Sequence, residues 1–420
     1  MATIYVTWGI SALAVLGVIV RPFGWPEAVW AVAGALALLA LGQIGPLDAW
    51  AGVAKGFDVY LFLIGMMLLS ELARREGLFD WLAALATQKA KGSPIRLFVL
   101  IYGVGILVTA FLSNDATAVV LTPAVYAATK AAKLKNPMPY LLICAFIANA
   151  ASFVLPISNP ANLVIFGGGT MPPLSKWLAT FALPSLVAII ATFAMLYWSQ
   201  RREILTETLE RQIDAPALSH SARLAGYGLL FTAIILIAAS AMGVDLGWPT
   251  FLAGVLTTVL VLALTRQSPV ETVKGMSWSV LPLVGGLFVL VEALDKTGLT
   301  GMLAQELSRQ AQANGATAAM GAGLLVGFMS NLVNNLPAGL VAGATVQAAH
   351  VSDTVSAAVL IGVDLGPNLS VTGSLATILW LSALRREGLS IGTFAFLKIG
   401  AVVMIPALVL SLLALILTAA

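Results

Sequence analysis

Residues 65–83 read GMMLLSELARREGLFDWLA, and residues 286–304 read GLFVLVEALDKTGLTGMLA. Laid over each other at an offset of 221 positions, they place Glu71 over Glu292 and Gly77 over Gly298. Other strings repeat in the same order. GWP at 24–26 recurs at 247–249, Lys55-Gly56 recurs as Lys274-Gly275, FLSND (111–115) matches FMSNL (328–332), and ISNPANLV (157–164) lies over TGSLATIL (372–379). Each match is weak alone. Together and in one order they mark an internal duplication, which should be sought before any finer reading.

The composition says what kind of unit is duplicated. The chain has 420 residues, of which 60% are hydrophobic, and it carries 22 Lys+Arg and 19 Asp+Glu for a net charge of +3. Charged residues make up 10%, against about 25% in soluble domains. A soluble enzyme, a nucleic-acid binder and a disordered chain are excluded. The one cysteine, Cys144, rules out an intrachain disulfide and a multi-thiolate zinc site. His220 and His350 do not make a metal centre. No metal, cofactor or enzymatic activity is expected.

Apolar runs occupy 5–20, 28–42, 59–73, 97–112, 138–154, 177–198, 224–241, 249–264, 278–294, 317–329, 353–366 and 392–418. A spanning helix needs about 20 apolar residues, so the chain is read as an all-α polytopic membrane protein. The start has no basic n-region or small-residue cleavage site, which disfavours a signal peptide. The only long polar stretch is 200–223, QRREILTETLERQIDAPALSHSAR. The expected organisation is an N-terminal transmembrane repeat at 1–200, a linker at 201–223 and a C-terminal repeat at 224–420.

Each repeat contains an apolar segment interrupted at Ser-Asn and another interrupted at Pro and Gly. If 94–130 and 317–349 are re-entrant hairpins, each half has five spans and the halves are inverted. With both termini outside, seventeen basic residues fall inside: Arg21, Arg74, Arg75, Lys89, Lys91, Arg96, Lys130, Lys133, Lys135, Arg201, Arg202, Arg211, Arg223, Arg266, Lys274, Arg385 and Arg386. Four fall outside: Lys55, Lys176, Lys296 and Arg309. This bias obeys the positive-inside rule and places the linker in the cytoplasm. Inverted repeats with broken helices are the architecture of secondary transporters, whose sites lie near the midplane between the repeats.

Four segments place polar groups at membrane depth. The first holds Ser113, Asn114 and Asp115, and the second holds Asn149, Ser158, Asn159 and Asn162. The third holds Ser330, Asn331, Asn334 and Asn335, and the fourth holds Asp364, Asn368, Thr372 and Ser374. Pro and Gly nearby interrupt the helices, and irregular backbone at this depth is tolerated where it lines a cavity or packs in protein. These side chains are the candidate substrate ligands. An Asp at the centre of a span costs about 2.5–3.5 kcal/mol, which makes it a functional candidate by default. Asp115 and Asp364 have no basic neighbour in sequence, and burial disfavours their charged form, so both are candidate proton carriers. Glu71 is expected to pair with Arg74 or Arg75 and Glu292 with Lys296, as interfacial ion pairs. Cys144 reads as packing.

FLSNDATAVVLTP (111–123), FMSNLVNNLPAGLVAGA (328–344) and above all VDLGPNLSVTGSLATILWL (363–381) resemble the ArsB arsenite efflux permeases. Those belong to the ion transporter superfamily, with NhaD-type Na+/H+ antiporters and dicarboxylate/sodium symporters. The resemblance runs essentially end to end. It implies export of arsenite, and of antimonite, in exchange for protons across a bacterial or archaeal cytoplasmic membrane, and it allows a cytosolic ArsA-type ATPase as partner. Family members often carry Asp at the position of Asn149 and Lys at that of Asn368. Here both are Asn, so an ion pair there would be replaced by an amide pair. Arsenite is mostly the neutral triol As(OH)3 at neutral pH, and one cysteine cannot bind it as thiolates do, so recognition by Asn, Ser, Thr and backbone groups is expected. The alternative is a Na+/H+ antiporter that uses the same loops for sodium.

Overall fold

The computed structural model describes residues 2–166, 171–210 and 217–419. The middle of the expected linker, 211–216 with Arg211, lies outside the described residues. Those described are helical, with no strand among them.

Twenty helices succeed one another among the described residues. The first ten are α1 (Ala2–Val20), α2 (Glu27–Ala40), α3 (Pro46–Lys55), α4 (Phe57–Arg75), α5 (Leu78–Ala90), α6 (Pro94–Phe111), α7 (Thr122–Ala131), α8 (Met138–Ala150), α9 (Pro160–Phe166) and α10 (Leu174–Thr206). The second ten are α11 (His220–Ala241), α12 (Gly247–Thr265), α13 (Pro269–Gly275), α14 (Val280–Lys296), α15 (Leu299–Ala313), α16 (Gly315–Val333), α17 (Asn335–Ala349), α18 (Asp353–Leu365), α19 (Leu375–Arg386) and α20 (Thr393–Ala419). Between α6 and α7 the chain forms one short turn, Asn114–Ala116, and a π-helical turn, Thr117–Leu121.

Among the described residues, six helices are long and apolar enough to cross a membrane: α6, α10, α11, α12, α16 and α20. The bent pairs α3–α4 (46°) and α13–α14 (41°) raise the number to eight. Ten spans were expected. Six of the eight are among those ten (α3–α4, α10, α11, α12, α13–α14 and α20), and the other two, α6 and α16, begin the expected hairpins. Of the remaining four, α1 (4–20) and α2 are shorter apolar helices, and chain breaks at 151–159 and 366–374 leave α8, α9, α18 and α19 as half-length pieces. The described part of the linker packs onto the rest of the chain. Its first residues, 201–206, extend α10 as helix, and the chain beyond is pinned to the loop at 132–136. The Glu207 carboxylate accepts the backbone N–H groups of Lys135 (3.0 Å) and Asn136 (2.8 Å), and Lys133 pairs with Glu210 at 3.0 Å.

Lipid tails are as apolar as leucine, so helices in a bilayer associate through close packing of small residues rather than through hydrophobic burial. That rule locates the scaffold. Gly323 and Gly327 of α16 meet Gly362 and Gly366 around the end of α18. A Cβ on Gly366 would overlap the Gly327 carbonyl, and one on Gly362 would fall 3.1 Å from the Gly327 nitrogen. In α4, Gly65 lies against Gly254 of α12, while Gly286 of α14 lies against Ala31 of α2. The helices α8 and α18 are sunk deepest: 139–150 and 355–365 are buried without interruption. Polar side chains on these two helices therefore have only protein to bond to, and they define the site.

Candidate functional site

Both central helices stop because their chains turn into short irregular segments. After α8 the chain passes through a single turn at Pro156–Ser158, and α9 starts at Pro160. After α18 a similar turn covers Gly366–Leu369, and α19 starts at Leu375. Side-chain oxygens cap the helices that restart. Asn159 Oδ1 accepts the Ala161 N–H (3.0 Å), and Ser374 Oγ accepts the Thr377 N–H (3.1 Å). The hairpin tips do the same. Ser113 Oγ accepts the Ala116 N–H (3.2 Å), and Asn334 Oδ1 accepts the Leu336 N–H (3.3 Å).

These four helix starts meet in one small cavity of about 10 Å3, room for about one water. Its polar walls are Asn114, Asp115, Asn159 and Asn335, and its apolar walls include Val59 and Leu63 of α4 and Val280 and Val284 of α14. Helix N-termini carry partial positive charge and unpaired N–H groups. Two of these starts also carry acceptors. The Asn335 Oδ1 is buried without a hydrogen-bond partner. Asp115 is half-buried, its backbone N–H donates to Asn114 Oδ1 (2.9 Å), and its carboxylate has no hydrogen-bond or ion-pair partner among the described residues.

Asp115 also lines a second cavity of about 410 Å3, which shares Leu63, Pro160 and Val280 with the first. This vestibule runs past Ser113, Met66, Met67 and Met276 to Glu71, Arg74 and Arg386. The small cavity is thus the inner end of a larger one.

Behind the small cavity lies a fully buried network. Asn149 Nδ2 donates to Asn368 Oδ1 (3.0 Å), and Asn368 Nδ2 donates to the Phe146 carbonyl (2.9 Å). The amide pair expected from the two Asn positions is therefore formed. At the 215-residue offset that relates the breaks, Asn149 and Asp364 occupy corresponding positions. Each reaches into the other half's break: Asn149 to Asn368 and Thr377, Asp364 to Ser152 and Asn159.

Asp364 and a backbone carbonyl share one hydroxyl. The Ser152 hydroxyl lies 2.7 Å from the Asn149 carbonyl oxygen and 2.7 Å from Asp364 Oδ2. It has one hydrogen to give. The hydroxyl therefore faces two acceptors, the Asn149 carbonyl and the Asp364 carboxyl, with one hydrogen between them. Asn159 Nδ2 donates to Asp364 Oδ1 (2.8 Å). Asn159 also lines the small cavity, so it connects the buried acid to the pocket.

The remaining sequence candidates serve the walls. Asn331 has all its capacity engaged: Nδ2 donates to the Gly327 and Gly366 carbonyls (2.9 Å each), and Oδ1 accepts from Ser370 N–H (3.0 Å) and Oγ–H (2.9 Å). Ser330 bonds back to the Val326 carbonyl, Thr372 to the Asn331 carbonyl, and Ser158 to the Ala110 carbonyl. Asn162 ties down the break through the Ser152 carbonyl (2.9 Å). The chain break of the second hairpin falls at Asn334, with φ 71°, rather than at Ser330-Asn331. The spatial counterparts of Ser113-Asn114-Asp115 are thus Asn334-Asn335-Leu336, four residues beyond the string match.

Sequence reasoning did not single out Ser152, which stands between alanine and phenylalanine in an apolar-looking run. Glu71 pairs with Arg74 as expected (2.5 Å), but Glu292 pairs with Lys55 (2.5 Å), and Lys296 pairs with Asp48 (3.0 Å). Among the described residues no group of three or more His, Cys, Asp and Glu converges.

A bundle of membrane-length helices, broken at its centre around a polar pocket with a vestibule, is a multi-span membrane transporter. Residues 12–363 match the profile of the citrate transporter family, CitMHS, and the chain belongs to that family. The arsenical pump membrane protein of Escherichia coli K12 is 27% identical over 426 residues, covering 97% of each chain. That of Yersinia enterocolitica is 28% identical over 368 residues, covering 84% of each. An uncharacterized transporter of Mycobacterium tuberculosis is 27% identical over 388 residues and 89% of each chain. The fold is similar to the Alcanivorax borkumensis YdaH transporter (TM-score 0.56, 14% identity, 88% of this chain and 86% of that). It is also similar to Neisseria gonorrhoeae MtrF, described as illuminating a class of antimetabolite efflux pumps (TM-score 0.55, 14% identity, 99% and 94%). The resemblance carried by VDLGPNLSVTGSLATILWL thus meets relatives named as arsenical pumps along nearly the whole chain.

Proposed function

We propose that this transporter exports arsenite, as As(OH)3, in exchange for protons, with antimonite as a second cargo. The observation that carries this reading is the donor and acceptor balance of the small cavity. A neutral triol brings three hydroxyls, each able to donate and to accept. The side-chain amides of Asn114 and Asn335 offer N–H donors, and Asp115 and Asn335 Oδ1 offer acceptors. Citrate, with acceptor-only carboxylates, would face the Asp115 carboxylate in a pocket without Lys or Arg in its wall. A cavity of about 10 Å3 must widen before cargo fits, so hairpin tips and breaks would part as cargo enters from the vestibule.

The coupling would run through Asp364. While it is protonated, Ser152 holds the Asn149 carbonyl at the end of α8. Once it is ionised, Ser152 has two competing acceptors and one hydrogen, and the break after α8 loses a contact. Cargo binding from the cytoplasm would accompany proton release, and protonation from outside would accompany cargo release. One proton moving inward against a neutral cargo gains about 2.3 kcal/mol per 100 mV. At about 1.36 kcal/mol per tenfold, that sustains roughly a 50-fold gradient.

The two-repeat organisation (1–200 and 224–420 around the linker 201–223) is supported by the matching order of α1–α10 and α11–α20. The exchanged packing of α4 on α12 and of α14 on α2 supports it further. Inversion of the halves, outside termini, a cytoplasmic linker and a bacterial or archaeal cytoplasmic membrane accord with the charge bias. An ArsA-type ATPase is a compatible partner on the linker side. In proteoliposomes, an imposed pH gradient is expected to drive arsenite uptake; no response to it overturns the proposal. A Na+/H+ antiporter is the second reading, favoured by a water-sized pocket holding an unpaired carboxylate. Under it, sodium gradients move protons and arsenite has no effect.

A further inference from the structure

The repeat-related acids Glu71 and Glu292 sit at opposite ends of the mechanism and pair differently. Glu292 on α14 reaches the other half and pairs with Lys55 of α3 (2.5 Å), its side chain lying over Gly52, where a Cβ would come within 3.1 Å of it. Glu71 on α4 likewise lies against a glycine of the other half, Gly275, where a Cβ would overlap its carboxylate. Lys274 precedes that glycine as Lys55 precedes Gly56. Yet Glu71 turns to Arg74 of its own helix in a two-pronged pair (2.7 and 2.5 Å). Lys274 is exposed and has no ion-pair partner among the described residues. The sequence accounts for the difference: at the offset relating the two helices, the counterpart of Arg74 is Asp295, which cannot hold Glu292. The vestibule opens at Glu71, Arg74 and Gly275. No lining residue of the small cavity is shared with the cavity beside α3 (Ala49, Val53, Tyr60), on the Lys55–Glu292 side.

We infer that Lys55 and Arg74 are positioning residues that set which side of the transporter is open. Lys55–Glu292 locks the halves together on one side. Arg74 withholds Glu71 from Lys274 and so leaves the other side, the vestibule, unlocked. In the alternate state Glu71 leaves Arg74 for Lys274, the vestibule closes, and Lys55 parts from Glu292. The inference rests on the two-repeat transporter reading, but it does not depend on the cargo.

The test places a cysteine at Ser382, in the vestibule wall, in a Cys144→Ala background, and measures its labelling by a neutral maleimide in detergent-solubilised protein. No substrate or gradient is needed, so failure of arsenite transport would leave this measurement standing. Lys55→Gln and Arg74→Gln are each expected to lower the labelling rate about twofold to fivefold. That corresponds to about 0.4–1 kcal/mol at about 1.4 kcal/mol per tenfold, the range of partly exposed ion pairs. Lys274→Gln alone is expected to leave the rate unchanged or raise it, and Arg74→Gln with Lys274→Gln is expected to restore it. Should Lys55→Gln not fold, Glu292→Gln is expected to give the same decrease. An Arg74→Gln effect that persists without Lys274, or a Lys55→Gln (or Glu292→Gln) rate equal to or above the parent, overturns the inference.

Discussion

Replacing Asp364 by Asn tests the proton count directly. A protonated carboxyl and a carboxamide have nearly the same shape, and each offers one donor side and one acceptor side. In Asp364→Asn the new Nδ2–H can donate to Ser152 Oγ, and Oδ1 can still accept from Asn159 Nδ2. All three contacts of the network (2.7, 2.7 and 2.8 Å) survive. Stability should then stay within about 1 kcal/mol of the parent, no more than one typical hydrogen bond is worth. Asp364→Ala, by contrast, strands the Asn159 amide, which is 2% exposed. An orphaned buried donor costs about 1–3 kcal/mol, and the emptied volume adds to that.

Thermal unfolding of the two variants in detergent should therefore separate them, with the alanine variant melting lower. Infrared difference spectra should show the carbonyl band of a protonated carboxyl in the parent and its loss in Asp364→Asn. In proteoliposomes at 100 mV, the parent should hold roughly a 50-fold arsenite gradient per proton, and Asp364→Asn should hold none. A variant that keeps the gradient, or a parent lacking the infrared band, would refute the assignment of the proton to Asp364.

Four further substitutions and one titration probe the same structure. Asn149→Asp turns an acceptor toward Asn368 Oδ1 in place of a donor, so it should destabilise by about 1–3 kcal/mol; adding Asn368→Lys should recover most of this in thermal melts. Gly366→Val drives a side chain into the Gly327 carbonyl and should cost about 1–3 kcal/mol or prevent folding, read as lower yield of monodisperse protein. On α15, hydrogen bonds from Arg309 and then Gln310 hold the Glu306 carboxyl down at about 2. Its folded-state value is depressed, so its stabilising contribution is present above the ordinary carboxylate range and is lost as pH falls through about 2. NMR titration of labelled glutamate should show this, and Arg309→Gln should move the midpoint up.

The fold was legible where apolar runs are long and interruptions contain proline or glycine. Pro156 and Gly366-Pro367 announced the breaks that line the cavity, and the amide pair of Asn149 and Asn368 was anticipated from the family resemblance, whose members often carry Asp and Lys at these positions. Other features depend on contacts that no local pattern encodes. Lys296 is four residues from Glu292, but Lys55, 237 positions away, is its partner. Ser330-Asn331 matches Ser113-Asn114 as a string, yet nothing there stops a helix, so α16 runs on until Asn334 accepts a positive φ. Residues 201–206 read as linker because they are polar, but α10 continues through them, and Glu203, Glu207 and Glu210 anchor the end of this helix and the residues just past it onto 132–136. Ser152 acquires its meaning only when two acceptors are seen around one hydroxyl.

The two acids that the sequence isolated stand at non-equivalent places, and that asymmetry bears on how the pocket could work. Asp115 tips the first hairpin, where the second half has Leu336; Asp364 ends the second central helix, where the first half has Asn149. The walls around them are otherwise paired, Val59 with Val280 and Leu63 with Val284 across the cavity. Had the duplication kept an acid at both hairpins, two carboxylates would face each other across a water-sized space, where like charges raise each other's energy. Under the proposed function, Asp115 would be free to accept from cargo while Asp364 would hold a proton one side chain further back. Asn159 touches both the cavity and Asp364. It is therefore the residue through which cargo in the pocket would sense the proton: any shift of its amide toward a hydroxyl of the cargo weakens its bond to Asp364.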